Sequence, residues 1–295
     1  MLLIRIAQVL FWSLQWLPYR LLRGLAGLLG RLAWRLVGSR RRVTLTNLRL
    51  CFPEWSEAQR VAVGRAHFQM FLTAMLTQGL QWFASRRRLA RACQLVDVHH
   101  WDAVRDQPVI LLAPHFMALD IAGVRVSADY PLISMYGKHK NLRVDDLIRG
   151  YRTRFSRGLL YSRQEGLRPV LRGLKAPYAF YYLPDLDFGP RDSVFVPFFG
   201  MAAATVPALS RLARITGARV VPCVARERAD GQGFEARFYP AWDNFPTDDA
   251  VADTARMNAF IEARVRETPA QYLWTHKRFK TRPPGEADVY GRDTR

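Results

Sequence analysis

Residues 108–120 read PVILLAPHFMALD, and this stretch decides the fold class. Its first seven residues form a continuous apolar run of strand length, which is typical of a strand covered on both faces. Further strands are predicted at residues 132–136, 178–183 and 219–224, with helical segments between them. Strands joined by crossover helices predict an α/β fold with a mostly parallel central sheet flanked by helices.

Composition excludes global disorder and favours one large domain. The chain has 295 residues, of which 49% are hydrophobic and 12% aromatic, so burial of apolar surface can offset the entropy lost on folding. No internal repeat and no Gly- or Ser-rich linker divides the sequence. We therefore predict a single α/β domain over residues 41–295, preceded by an N-terminal extension over residues 1–40.

The N-terminal extension has the composition of a membrane-seeking segment. Residues 6–18 read IAQVLFWSLQWLP, and the following residues intersperse arginines with Leu, Ala, Trp and Val. Neither half supplies the roughly 20 uninterrupted apolar residues of a transmembrane helix. Two interpretations stay open: a short tilted anchor, or an amphipathic helix in the interface whose arginines reach anionic head groups. A pair of core-packing helices is a less favoured alternative.

The charge balance favours anionic partners. There are 44 basic and 25 acidic residues, giving a net charge of +19. The resulting positive surface potential would attract nucleic acid, anionic lipid or an acidic protein. No nucleic-acid-binding signature accompanies the charge, so no nucleic-acid partner is expected. The three cysteines are too scattered for a disulfide framework, and no histidine has metal-ligand spacing, so no metal and no cofactor is predicted.

His115 is the candidate catalytic residue. It directly follows the apolar strand, and in open α/β sheets ligands bind beyond the carboxyl ends of the strands. Asp120 lies five residues later, in the first turn of the expected helix. From there we expect Asp120 to reach back to one imidazole nitrogen and fix the tautomer, which leaves the other nitrogen as a general base. Taken alone, a histidine and an aspartate at this spacing are a weak signal, and they favour a structural histidine over a catalytic one.

Two further segments carry candidate site residues. Asp185 and Asp187 follow another predicted strand, and the apolar residues 193–200 (SVFVPFFG) come next. This apolar segment favours either a loop lining a substrate channel or membrane rim, or a buried crossing of the core. Near the C-terminus, Lys277 and Arg278 lie among aromatic residues, where they would either clamp phosphates or form a basic tail.

Together these motifs resemble the lipid A biosynthesis acyltransferase family of Gram-negative bacteria, the lauroyl and myristoyl transferases. The resemblance covers nearly the whole chain in the family's order. It rests on NLRLCFP at 47–53, the His115 and Asp120 pair, Asn141 followed by Arg152 and Arg154, LPDLDFG at 183–189, FVPFFG at 195–200 and YLWTHKRFKTRP at 272–283. Leu186 departs from the pattern, because the family often has a polar residue between the two aspartates.

The resemblance implies a glycerolipid-acyltransferase-like fold and an enzyme on the cytoplasmic face of the inner membrane, in contact with its lipids. Such an enzyme would move a fatty acyl chain from acyl carrier protein to a 3-hydroxyacyl hydroxyl of a lipid A precursor. An acyltransferase that uses coenzyme A thioesters on glycerolipids or other lipids is the main alternative. A basic nucleic-acid-binding protein is a more distant one.

The resemblance also implies roles for individual residues. His115 would be the general base, held by Asp120, and Arg152 would stabilise the oxyanion or position the substrate. The remaining candidates would bind substrate or organise the site, with either aspartate pairing with Arg152; they are Arg154, Asp185, Asp187, Lys277 and Arg278.

Overall fold

The computed structural model describes residues 2–155, 158–175 and 178–291. These residues form twelve α-helices, nine strands and two short 3₁₀ helices. The helices are α1 (Leu2–Leu14), α2 (Tyr19–Leu36), α3 (Gly38–Cys51), α4 (Glu57–Leu76), α5 (Gln78–Phe83), α6 (Arg86–Ala92), α7 (His99–Asp102), α8 (Leu119–Asp129), α9 (Leu142–Arg152), α10 (Arg168–Gly173), α11 (Ala208–Thr216) and α12 (Ala250–Glu267). The strands are β1 (Cys93–Val96), β2 (Val109–Leu112), β3 (Leu132–Tyr136), β4 (Gly158–Ser162), β5 (Ala179–Tyr182), β6 (Val194–Phe198), β7 (Met201–Thr205), β8 (Arg219–Glu227) and β9 (Phe234–Phe238).

Seven strands form the central sheet, in the order β1-β9-β8-β2-β5-β3-β4. Every neighbouring pair is parallel except β8 and β9, which form an antiparallel hairpin. The predicted α/β fold with a mostly parallel sheet is therefore confirmed. Since β2 pairs directly with β5, the loops that follow these two strands meet at one edge of the sheet.

Both faces of β2 are buried, as its apolar run predicts. Ile110 and Leu112 belong to one hydrophobic core, and Val109 and Leu111 belong to the core on the opposite face of the sheet. Each of the four side chains is at most 3% exposed. Alternation of side chains along a strand divides them between the two faces, so a strand with cores on both sides reads as a continuous apolar run.

Residues 193–200 do not form an apolar loop. They belong to a two-stranded antiparallel hairpin of β6 and β7, turned at Phe199 and Gly200, whose φ angles are 53° and 75°. Val196 and Phe198 are buried in this hairpin, at 1% and 0% exposure. This face is the expected buried crossing of the core, whereas Phe195 on the other face is 36% exposed, so a membrane rim at this segment stays a prediction.

The N-terminal helices pack on the rest of the chain along one face only. Helix α2 lies against α4 and helix α1 against α5. The approach of α2 to α4 is close, because a Cβ added at Gly30 would lie 2.8 Å from the Gln69 Cα. Tyr19 and Arg23 also bind the Glu227 carboxylate on β8, at 2.7 and 2.8 Å. Among the described residues, no helix has the combination of length and apolar character needed to cross a bilayer.

Candidate active site

His115 lies in the turn between β2 and α8, as its sequence position predicts. Its Nδ1 atom is 2.7 Å from Oδ1 of Asp185, and its backbone N–H donates to the same carboxylate at 3.0 Å. An ionised carboxylate only accepts hydrogen bonds, so the proton lies on Nδ1 and the Nε2 atom is left as a proton acceptor. The side chain is 12% exposed and lines a cleft.

Asp185 is the partner of the imidazole because of the strand order. It follows β5, which pairs with β2, so the loop carrying Asp185 lies beside the turn carrying His115. The carboxylate is buried and also accepts a hydrogen bond from the Tyr272 hydroxyl. Burial alone would raise the pKa of this carboxyl, but the charge and hydrogen bonds of His115 and the Tyr272 hydroxyl hold it below the ordinary Asp value. Asp185 is therefore an ionised carboxylate that orients the ring.

Asp120 does not hold the imidazole, so that part of the sequence prediction is wrong. It lies in the first turn of α8, and its carboxylate accepts from the Arg152 guanidinium at 2.9 Å. The expectation that Asp185 or Asp187 pairs with Arg152 is wrong for the same reason. The adjacency of β2 and β5 gives His115 a nearer carboxylate than the one on the following helix. His115, Asp120 and Arg152 nevertheless line one cleft together.

Asp187 organises the surrounding loops rather than the imidazole. Its carboxylate accepts from the backbone N–H and the hydroxyl of Thr281, at 2.7 and 2.8 Å, and from the Gly189 N–H at 2.9 Å. Its own N–H donates to Nε2 of His276 at 3.1 Å. Asp187 thus ties the loop after β5 to the C-terminal segment.

Two arginines predicted to bind substrate are hydrogen-bonded to oxygens of the protein itself. Arg278 is 2% exposed, and its guanidinium donates to the Ala204 carbonyl at 2.8 Å and to the Thr205 hydroxyl at 2.7 Å. Arg154 donates to the carbonyls of Leu80 and Ala84, and burial lowers its pKa to about 10. The burial of Arg278 contradicts the prediction that it binds substrate, whereas Arg154 is only half-buried and its role in substrate binding stays a prediction.

Lys277 lies next to the buried Arg278 but is itself only partly buried. Its Nζ atom is 5.5 Å from the centre of the Tyr290 ring. A role for Lys277 in binding substrate phosphates stays a prediction.

The C-terminal segment after α12 contacts the turn that carries His115 through backbone hydrogen bonds, which the sequence did not indicate. The Leu273 N–H donates to the His115 carbonyl at 3.0 Å, and the Met117 N–H donates to the Gln271 carbonyl at 2.8 Å. Burial and the Asp185 charge raise the pKa of Tyr272 well above its usual range, so its hydroxyl stays protonated as a donor. These contacts hold the turn that carries His115 against residues 271–273.

Asn47 and His276 complete this scaffold, and sequence reasoning assigned neither of them a role at the site. The Asn47 amide donates to the carbonyls of Trp274 and His276 at 2.7 and 2.8 Å. Burial, followed by the charge of His115, lowers the pKa of His276 to about 4. The only sequence signal for a role of Asn47 is its place in the NLRLCFP motif, which lies far from the other candidate residues. Its contacts show that this motif binds the C-terminal segment.

The cleft beside His115 has a volume of about 490 Å³. Its walls come from α4, α8, β3 and β4, and Asp120 and Arg152 line it together with His115. The lining is more apolar than polar, through residues such as Val124, Leu132, Leu160 and Tyr181. A largely apolar cleft with a few polar groups suits a ligand with a hydrocarbon chain and a reactive head.

The sequence profile of the bacterial lipid A biosynthesis acyltransferases matches residues 2–281. The lipid A biosynthesis lauroyltransferase of Escherichia coli is 35% identical over 282 residues, covering 95% of this chain and 92% of its own. A lipid A biosynthesis acyltransferase of Haemophilus influenzae is 34% identical, covering 94% and 87%. The lipid A biosynthesis myristoyltransferase of Escherichia coli is 36% identical, covering 90% and 82%.

Among solved structures, the 1-acyl-sn-glycerophosphate acyltransferase PlsC of Thermotoga maritima covers 80% of this chain and 97% of its own, with a TM-score of 0.40 and 14% identity. The sequence relatives share far more with this chain, over nearly its whole length, and they confirm the resemblance seen in the motifs. The chain therefore belongs to the bacterial lipid A biosynthesis acyltransferase family and is an acyltransferase.

Proposed function

We propose that this acyltransferase moves a fatty acyl chain from acyl carrier protein to a 3-hydroxyacyl hydroxyl of a lipid A precursor, with His115 as general base. The observation that carries this proposal is the His115 and Asp185 pair, whose imidazole lines a largely apolar cleft. A base is needed to deprotonate the attacking hydroxyl, and a positioned imidazole of fixed tautomer is suited to that task.

The proposed reaction proceeds by direct attack. The Nε2 atom of His115 accepts the proton of the acceptor hydroxyl while the hydroxyl oxygen bonds to the thioester carbonyl carbon. The tetrahedral oxyanion then collapses, the carbon–sulfur bond breaks, and the imidazolium returns the proton to the leaving thiolate. Asp185 stabilises the imidazolium formed between the two steps, as a buried carboxylate does in other histidine-based sites.

Arg152 is the proposed cation for the oxyanion or the substrate head. It lines the same cleft as His115, and its guanidinium is 34% exposed at the side-chain level. Its pairing with Asp120 at 2.9 Å restricts the orientation of the guanidinium without burying it. Preorganised positive charge at a site where negative charge develops is the usual source of such stabilisation. We assign Asp120 to the positioning of Arg152 rather than of His115.

The acyl carrier protein donor is favoured by charge. The loop between β3 and α9 is exposed and carries Lys138 and Lys140, two of the five lysines of the chain, and Arg143 follows on α9. Gly137 of the same loop lines the cleft. An acidic carrier protein docked on this basic loop would present its thioester at the cleft.

Membrane association is supported by the exposed face of α2. Leu21, Leu25, Leu28, Leu32 and Leu36 recur at helical spacing, and each is 37% to 73% exposed. On α1, Trp12 and Trp16 are likewise 51% and 60% exposed. An apolar stripe flanked by arginines suits an amphipathic helix lying in the interface of an anionic bilayer. We propose that residues 1–40 attach the α/β domain to the cytoplasmic face of the inner membrane in this way.

The test is transfer by the purified chain, followed by mass spectrometry of the lipid product. We expect a lipid A precursor to gain the mass of one acyl chain when an acyl carrier protein thioester is supplied. Parallel reactions would offer acyl coenzyme A as donor and lysophosphatidic acid as acceptor. Acylation of lysophosphatidic acid without acylation of the lipid A precursor would refute the proposal.

A further inference from the structure

A second cavity, of about 360 Å³, lies beside the cleft. Its walls are mostly apolar and come from the membrane-facing helix α2, through Ala33, and from α4, through Phe68 and Leu72. The C-terminal segment closes it with Thr275 and His276. The mechanism described above does not use this cavity.

The second cavity meets the cleft next to the catalytic turn. Phe71 and Leu273 line both spaces, so the two cavities are separated by these side chains. The Leu273 N–H donates to the His115 carbonyl at 3.0 Å. The residue between the two cavities is therefore bound directly to the turn that carries His115.

The second cavity also lies beside the proposed membrane face. Ala33 and Val37 line it, and the neighbouring Leu32 and Leu36 are 50% and 73% exposed on α2. Arg40, which also lines the cavity, is an exposed cation whose guanidinium donates to the Thr275 carbonyl at 3.2 Å. An apolar space that adjoins an exposed leucine stripe and carries a cation at its rim matches an anionic lipid entering from a bilayer.

We infer that the second cavity, hereafter the acceptor cavity, holds the acyl chain of the lipid acceptor, while the cleft holds the acyl chain of the donor. This inference rests on the proposed function and adds that each of the two substrates places its acyl chain in a separate cavity. The cleft adjoins the basic loop after β3, where a soluble acidic carrier has access, and the acceptor cavity adjoins α2. The acceptor hydroxyl and the donor thioester then meet at His115 from opposite sides of Leu273.

The experiment fills the acceptor cavity and measures the two substrates separately. Ala33→Phe adds a ring to the wall of the cavity on a helix that otherwise keeps its sequence. We expect the KM for the lipid acceptor to rise about tenfold or more, since lost room for a few methylenes has an effect of that order. The KM for the acyl donor should stay within about twofold of the wild-type value. The thermal midpoint should stay within about 2 °C of the wild type.

The matched control is Ile215→Phe. Ile215 lies on α11, is 70% exposed and lines neither cavity, so a ring is added outside both cavities and outside the leucine stripe of α2. We expect both KM values of this variant to match the wild type. Leu72→Trp, on the opposite wall, is a second filling variant in case Ala33→Phe disturbs the packing of α2 on α4.

A chemical rescue sharpens the test. An acceptor whose 3-hydroxyacyl chain is several carbons shorter should lose less affinity in Ala33→Phe than the full-length acceptor does. An unchanged acceptor KM in both filling variants would overturn the inference, as would a rise in the donor KM alone. If the wild-type enzyme transfers no acyl group to a lipid A precursor, the proposed function has failed instead, and the two failures are distinguished.

Discussion

Asp185 and Asp120 lie beside the same cleft but hold different groups. Asp185 is buried, accepts two bonds from His115 and a third from Tyr272, and has no exposed side-chain surface. Asp120 is 45% exposed at the side-chain level and holds Arg152. The buried carboxylate fixes a tautomer, whereas the exposed one orients a cation. Their substitutions should therefore have separable consequences.

We expect Asp185→Asn to lower kcat by about 10⁴-fold, the order seen when an amide replaces the carboxylate of a histidine-based site. The amide can donate to Nδ1, which would favour the tautomer with the proton on Nε2 and remove the base. Asp120→Asn should instead act through Arg152. Its effect should be strongly non-additive with Arg152→Lys in a double-mutant cycle, and additive with Asp185→Asn.

The measurement is single-turnover transfer, with the thermal midpoint of each variant as the control for folding. Coupling of Asp120 to Asp185 rather than to Arg152 would contradict the observed pairing of Asp120 with Arg152.

At the scale of elements, the C-terminal segment decides the geometry of the site. It runs from α12 beneath the turn after β2, where residues 271–273 pair with residues 115–117. Helix α3 binds it through Asn47, and helix α4 binds it through His67, whose Nδ1 lies 3.2 Å from the Ala270 carbonyl. Elements far apart in sequence thus converge on one turn.

The sequence predicts elements better than it predicts partners. The apolar run of β2 and the bounds of β3 follow from local patterns, and a histidine at the end of a buried strand is a site candidate for a general topological reason. The partner of His115 depends on β5 lying next to β2, which no local pattern encodes. The sequence around Arg278 does not show whether this arginine is exposed or buried. Its hydrogen bonds to Ala204 and Thr205 on β7 identify it as an internal donor rather than a phosphate ligand.

The packing of α4 on the C-terminal segment makes stability depend on pH through His67. The side chain is fully buried, and burial lowers its pKa to about 4. Its ordinary value is about 6.5, so the unfolded chain takes up a proton first as the pH falls. Neutral His67 therefore contributes its full share to the free energy of unfolding above pH 6.5. This contribution decreases as the pH falls towards 4, by up to about 3 kcal/mol.

Denaturant unfolding between pH 7 and pH 4 checks this expectation. His67→Gln, which keeps a donor for the Ala270 carbonyl, should lose free energy of unfolding less steeply with falling pH than the wild type. The exposed His99→Gln is the matched control and should retain the wild-type slope. Equal slopes for His67→Gln and the wild type would show that His67 is not held neutral by burial.

At the scale of the whole molecule, the proposed substrates approach from different sides. The basic loop after β3 adjoins the cleft through Gly137, and the leucine stripe of α2 adjoins the second cavity through Ala33. The net charge of +19 favours an acidic carrier, a phosphorylated acceptor and an anionic leaflet at once. We expect the apolar stripe to supply the part of the proposed membrane affinity that salt does not screen.

Replacing Leu28 and Leu32 together by glutamate should release the protein from vesicles. Burial of a leucine side chain is worth about 1.5 kcal/mol or more, so two substitutions should weaken partitioning by about 100-fold. The measurement is cosedimentation with vesicles of phosphatidylglycerol and phosphatidylethanolamine at 0.15 M salt. The matched control is Ile215→Glu with Val251→Glu, two exposed apolar residues on α11 and α12. Equal loss of binding in both double variants would mean that α2 has no special part in attachment.

Acyl transfer by His115→Ala tests whether the His115 imidazole is the catalytic base. The purified wild type and variant would receive an acyl carrier protein thioester and a lipid A precursor, and the acylated product would be counted by mass spectrometry over time. We expect the variant to keep the wild-type thermal midpoint and to lose at least about 10³-fold in rate, because the attacking hydroxyl then has no base. Wild-type turnover by a folded His115→Ala would contradict the assignment of catalysis to this imidazole.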